Sequence, residues 1–228
     1  MKSILCFLGT MLTSVSAFGV DGTVLINQST VMALGGFPYT ISNPGSYRLS
    51  GNLTVPNANT SAIVIATDYV TLDLNGFSIL GPTVCSGASF VVTSCSPTGN
   101  GDGISGSLHN NITVMNGIVK GMGRFGVTLD GCQGCIVERM IISHSGSIGI
   151  FTGRGRVSDN SSMFNGVRGI QNASGPMINN YAAGNAGYGI IANCPGSVIG
   201  NVTEFNGGPQ QLLINGASCA AATNASAP

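Results

Sequence analysis

The sequence predicts an all-β fold: a right-handed parallel β-helix of about seven coils behind an N-terminal cap. Three observations lead there. Gly followed by Ile or Val recurs at Gly103, Gly126, Gly149, Gly169 and Gly189, in steps of 23, 23, 20 and 20 residues. Each start is followed at a nearly fixed offset by a second apolar run, such as "ITVMNGIV" from Ile112, "CIVERMII" from Cys135 and "PMINNYAA" from Pro176. Only 7% of the chain is charged and 35 residues are Gly, yet Val, Ile and Thr stand in short runs. Disordered chains are poor in such residues, whereas strands favour them.

A hairpin of about twenty residues buries no core by itself. Stacked as coils of a solenoid, such units share one continuous core. A helical repeat would need Gly-free amphipathic stretches of about ten residues, and none follows the N-terminal segment. The regular leucine pattern of leucine-rich repeats and the calcium-binding glycine-rich nonapeptide are also missing.

Taken in order, residues 1–17 read as a secretory signal peptide. Lys2 precedes an apolar run from Ile4 to Leu12, and Val15-Ser16-Ala17 supplies small residues before a cut. That run is too short to span a bilayer. Residues 18–60, broken by Pro38, Pro44, Gly45 and Pro56, are expected to cap the open end of the solenoid. Residues 61–219 form the β-helix, interrupted by an insertion from Thr83 to Gly101 that leaves the barrel at a corner. Residues 220–228 are expected to be a frayed tail.

Removing the leader with Cys6 leaves six cysteines, an even number that fits disulfides in an exported chain. Pairing by proximity gives Cys85–Cys95, Cys132–Cys135 and Cys194–Cys219, although sequence leaves the connectivity open. One C-x-x-C at Cys132 and Cys135 lacks the further ligands of a zinc site and the βαβ surroundings of a redox motif. Neither metal nor cofactor is expected.

Asparagines repeat at coil spacing. Arg139, Asn160, Asn180 and Asn201 form one column, and His144, Asn165, Asn185 and Asn206 a second. Coils stack about 4.8 Å apart, so amides in a column can bond up and down the axis, and Asn tolerates a left-handed corner. A structural ladder is expected rather than a row of binding residues.

"PYTISNPGSYRLSGNLTV" followed by "AIVIATDYVTLDLNGFSILG" resembles the opening of secreted right-handed parallel β-helix proteins of the pectin-lyase-like superfamily. The resemblance runs roughly from Thr23 to Ser218. It implies a fold but no single activity, since that superfamily spans lyases, hydrolases, epimerases and non-catalytic surface proteins.

The chemistry such enzymes use is sparse here. Polygalacturonase-like enzymes carry paired acids, Gly-His-Gly and Arg-x-Lys; none of these occurs. Glu138 and Asp159 are expected at equivalent positions on adjacent coils, where two carboxylates could split their pKa values into an acid and a base. His144 and Arg154 are the other weak catalytic candidates. Eight acids in all make a calcium cage hard to assemble.

The stronger expectation is a surface. Lys120, Arg124, His144 and Arg168 each precede a Gly-Ile or Gly-Val start, with Tyr188 similarly placed, giving a cationic strip with an aromatic platform. That strip suits a polysaccharide or cell-surface glycan lying along the axis. After leader removal seven Lys and Arg face eight Asp and Glu, so neither nucleic acid nor a membrane surface is an expected partner. The expected protein is exported to the periplasm, cell surface or medium and interacts with carbohydrate without a complete catalytic site. A polysaccharide lyase or glycoside hydrolase, and a structural adhesion protein, are the alternatives.

Overall fold

The computed structural model describes residues 22–209 and 211–227, so the expected leader and Cys6 lie outside the described residues. The chain winds into a parallel β-solenoid of about nine turns rather than seven. Each turn contributes up to three short strands, and equivalent strands stack in register into three columns.

The first column runs from Tyr39–Ile41 through Ile63–Ile65 and Ile104–Ser105 to Ile190–Asn193 and Leu212–Asn215. The second starts at Thr23–Ile26 and ends at Cys219–Ala222. The third starts at Leu53–Thr54 and ends at Ala225–Ala227. The two-residue side-chain period of a strand then decides what is inside. Ile63, Ile104, Val127, Ile150, Ile170 and Ile190 are fully buried and stack along the axis beneath the first column. The Gly-Ile and Gly-Val starts are therefore the inward residues of one column.

The extra turns come from segments expected to lie outside the solenoid. Most of residues 23–54 belongs to the solenoid itself: Thr23–Ile26, Tyr39–Ile41, Gly45–Leu49 and Leu53–Thr54 all pair in register with the next turn. Only helix α1, Gln28–Ala33, departs from strand. It follows the first second-column strand, inserts Val31 into the core, and turns Gln28 onto the edge of Leu53–Thr54. There the Gln28 amide accepts from Thr54 N at 2.8 Å and donates to Thr54 O at 3.3 Å, as a neighbouring strand would. Asn27 and Thr30 close a capping box at its start. At the other end, residues 219–227 are not a free tail but the last strands of two columns.

The insertion does leave the barrel. Val84–Ala88 and Val91–Ser96 form an antiparallel hairpin, joined by Cys85–Cys95 with Cα atoms 4.0 Å apart. Cys132–Cys135 and Cys194–Cys219 are the other pairs at disulfide distance.

The asparagine ladders form at the expected positions, but each begins one residue later, at Met140 rather than Arg139 and at Ser145 rather than His144. Asn160 Oδ1 accepts from Met140 N, and Asn165 Oδ1 from Ser145 N. The columns are therefore Met140–Asn160–Asn180–Asn201–Asn224 and Ser145–Asn165–Asn185–Asn206. From Asn180 and Asn185 onward each Asn Oδ1 takes both the backbone N–H and the side-chain amide of the coil before it, at 2.8 to 3.2 Å. Asn224 extends the first ladder and Gln211 ends the second. Arg139 and His144 stand instead at the left-handed corner just before each ladder position, with φ of 52° and 57°. All the ladder asparagines but the half-buried Asn224 are buried, and they satisfy backbone groups the corner would otherwise orphan.

Candidate functional site

Lys120, Arg124, His144, Arg168 and Tyr188 all fall on the connection from the third column to the first. Lys120 closes a third-column strand opposite Ser143, His144 takes the next corner, and Arg168 opens a first-column strand opposite Ile148. Tyr188 is level with Arg168 one coil on, as the pairing of Ile170 with Ile190 requires. They share a side, but not as a row of free charges. Arg124 donates to Asp102 through Nε at 2.9 Å and Nη2 at 2.6 Å, and its guanidinium lies 4.8 Å over the Phe125 ring. The Asp102 carboxylate is buried and also takes Phe125 N, so Arg124 balances a buried charge. That bonding raises the Arg124 pKa. Arg168 donates to the Gln171 side-chain carbonyl. Lys120 is exposed and makes no ion pair among the described residues.

The disulfide-joined hairpin lies over this same side. Val92 N donates to Gly184 O at 3.0 Å, and both Cys85 and Cys95 sulfurs lie against Ser145 O. Beneath the hairpin a cleft of about 270 Å³ is lined by His144, Phe164 and the hairpin residues Phe90 and Val91. The left-handed corner column running past it reads His144, Phe164, Gly184, Phe205. At Gly184 the column has no side chain, and Phe90 arrives there from the hairpin: a Cβ on Gly184 would stand 2.6 Å from Phe90 O and 2.5 Å from the Phe164 ring.

The result is two ring pairs in line, His144 with Phe164 at 5.8 Å and Phe90 with Phe205 at 5.6 Å. Phe90 is 73% and Phe205 42% exposed. These phenylalanines were not anticipated from sequence, which offered only Tyr188 as a platform. The signal was present: His144, Phe164 and Phe205 each stand immediately before a ladder position, where a corner side chain is forced outward. The His144 Nδ1 atom is buried without a hydrogen-bond partner. Burial first, and Lys120 second, lower the His144 pKa.

The acids do not assemble into a pair. Glu138 is opposite Ser158, whereas Asp159 falls one place later, at the corner level of Arg139. The expected juxtaposition fails by one register step, which turns the two side chains to different positions. Glu138 is held between Arg139 Nη2 at 2.5 Å and Arg156 Nη2 at 2.7 Å. Asp159 is exposed, with only the Asn179 amide at 3.4 Å. Asp73 meets Arg48, and Glu204 bonds Tyr181, whose pKa is pushed up to about 12. An Asp68–His109 contact at 3.2 Å, bridging 41 residues of sequence, was also not anticipated. Asn110 N, ahead of His109, holds the Asp68 carboxyl below its ordinary range. Arg154 lies elsewhere, exposed on the connection between the first and second columns.

Among the described residues no three His, Cys, Asp or Glu side chains gather where a metal would be held, and no helix is long and apolar enough to cross a membrane. Three disulfide pairs fit an oxidising, extracellular environment. Set against family models, curated proteins and solved structures, the chain matches none. The class that sequence and coordinates define is a disulfide-bonded parallel β-solenoid.

Proposed function

We propose that this is an exported carbohydrate-binding β-solenoid that holds a glycan chain along its axis, without carrying out cleavage. The row formed by His144, Phe164, Phe90 and Phe205 carries the reading. Sugar rings present flat C–H faces that stack on aromatic rings, and a row parallel to the axis offers successive sugars successive platforms. Exposed aromatic side chains cost little conformational entropy on binding because they have two torsions each. Lys120 beside the cleft supplies a cation for a nearby hydroxyl or acidic group. Glu138, with both carboxylate oxygens taken by arginines, favours this reading over acid–base catalysis, since neither oxygen is free to meet a substrate.

The test is binding of the purified protein to an array of neutral and acidic polysaccharides. Ultraviolet absorbance for unsaturated products and reducing-end release are followed in the same wells. Binding without products, weakened at least tenfold by Phe205→Ala or by Phe90→Ala, is the expected result. Products that vanish in Glu138→Gln would replace this reading with an enzymatic one.

A further inference from the structure

The charged residues of this chain are gathered in its middle. Between Gly22 and Tyr47, and again from Phe205 to Ala227, there is no Asp, Glu, Lys, Arg or His. Those two stretches belong to the end coils of the solenoid. An end coil presents strand edges, and exposed edges are ordinarily guarded by charge, above all by Lys. The two ends differ in what replaces that guard. At the first, α1 inserts Val31 into the core and Gln28 occupies the edge of Leu53–Thr54. At the last, Leu212–Asn215, Cys219–Ala222 and Ala225–Ala227 each pair only with the preceding coil among the described residues.

Inward-facing residues are left open at that last end. Leu212 and Ile214 are half-buried, whereas their counterparts one coil earlier, Ile190 and Ala192, are closed off from solvent. Ala221 is exposed at the level of the fully buried Val198, and Ser226 at the level of the fully buried Thr203. The strands are nonetheless held in place. Cys219 is tied to Cys194, and Asn224 Oδ1 takes both the backbone N–H and the side-chain amide of Asn201. Asn224 Nδ2 donates to Val198 O at 2.7 Å, and the Ser226 and Thr203 hydroxyls lie 3.0 Å apart. The end is therefore a formed three-strand edge. Its small side chains let another backbone approach to the strand spacing of about 4.8 Å.

From this end we infer that two copies of the chain join tail to tail in a closed dimer. A two-fold axis across the solenoid sets the last coils face to face with their strands antiparallel. One column's last strand then pairs with its own copy and the other two columns exchange partners, so all three edges close at once. A partner of opposite charge has nothing to engage at an uncharged end, whereas a second copy brings three matching edges and the same exposed alanines. Growth from tail to head is blocked by α1 and Gln28, which stand where the third column would continue. Alanines bury little area each, so main-chain bonds supply most of the affinity and the dimer exchanges with monomer.

The experiment follows the mass of the whole protein by analytical ultracentrifugation over a range of concentrations, with amide exchange measured at both extremes. Ala221→Lys puts an ammonium at the open end, where water solvates it in the monomer and the dimer would bury it. Ala222→Lys places the same charge on the outward side of that strand, level with the exposed Ile199. Leu34→Lys, at the end of α1 where Leu34 is 73% exposed, is the control on the opposite end. Circular dichroism checks each fold. The expected result is a mass that doubles with concentration and goes no further, while amides of residues 212–227 gain protection. Ala221→Lys weakens association at least tenfold, Ala222→Lys weakens it less, and Leu34→Lys leaves it unchanged. A monomer at every concentration overturns the dimer, as does full association in a folded Ala221→Lys. Growth past two copies, or a loss confined to Leu34→Lys, would also overturn it by moving the contact to the other end. Should Ala221→Lys fail to fold, the protection of residues 212–227 and the effect of Ala222→Lys decide, and the absence of both rejects the contact.

Discussion

Asn180 shows how much one side chain holds in this protein. Its Oδ1 accepts from the Asn160 backbone and side chain, while its Nδ2 donates to Val157 O and to Asn201 Oδ1. The residue is 1% exposed, so these bonds are out of contact with bulk solvent. Asn180→Ala strands two buried groups, Asn160 N and Val157 O, at roughly 1–3 kcal/mol each, so a loss of about 2–6 kcal/mol is expected in urea unfolding. His144 provides the pH-dependent counterpart. Its folded pKa lies below the ordinary 6.5, so the unfolded chain binds the proton more readily. The stability it contributes is complete above about pH 6.5 and declines as pH falls from there toward the folded pKa. Midpoints of urea unfolding between pH 7.5 and pH 5 should drop, and His144→Phe should flatten that dependence. A drop of the same size in the variant would assign it to other groups.

At the scale of elements, the hairpin and its seat are the informative pair. A methyl group at Gly184 meets both the Phe164 ring and Phe90 O at φ of 67°, where L side chains are already strained. Gly184→Ala is therefore expected to lift the hairpin, raising amide exchange over Val91–Ser96 while the fully buried first column stays protected. Replacing Cys85 and Cys95 by Ser should loosen the same strands by about 2–3 kcal/mol, the range for a short closed loop. Exchange unchanged in both variants would mean the hairpin is held by other contacts.

Much of this element was legible beforehand, because an insertion bracketed by two cysteines interrupts an otherwise regular repeat. Its destination was not. Nothing within residues 83–101 specifies that Phe90 will travel along the axis to Gly184 and Phe205. The ladder positions show the opposite kind of shortfall. Their period was visible, but spacing by itself does not separate Arg139 from Met140 as the start of a column, and only strand register decides between them.

For the whole molecule, a solenoid's stability is close to a sum over coils and the contacts between neighbours. The ends are then its weak points. Helix α1 and Gln28 cover one end, while Leu212–Asn215, Cys219–Ala222 and Ala225–Ala227 each pair on one side only among the described residues. Reducing agent should accordingly release the last coil first, since Cys194–Cys219 ties it to its neighbour. Hydrogen exchange after reduction is expected to accelerate over residues 212–227 and leave Ile112–Lys120 and Val127–Ser143 protected. Uniform acceleration along the chain would indicate one all-or-none unit instead.

The sequence by itself determined the repeat, the parallel stacking and the inward residues. These follow from local rules: a two-residue side-chain period, Gly starts every 20 to 23 residues, and Gly too frequent for the amphipathic stretches of a helical repeat. It also announced six cysteines in a proximity pattern that the coordinates bear out. Only the tertiary structure decided where solenoid becomes cap or tail, because strand pairing depends on an edge supplied by a distant coil. It alone separated Glu138 from Asp159, tied Arg124 to Asp102, and drew Phe90, Phe164 and Phe205 together along one corner column. Surface positions follow from register and corner length, and a shift of one residue in either moves a side chain from one site to another.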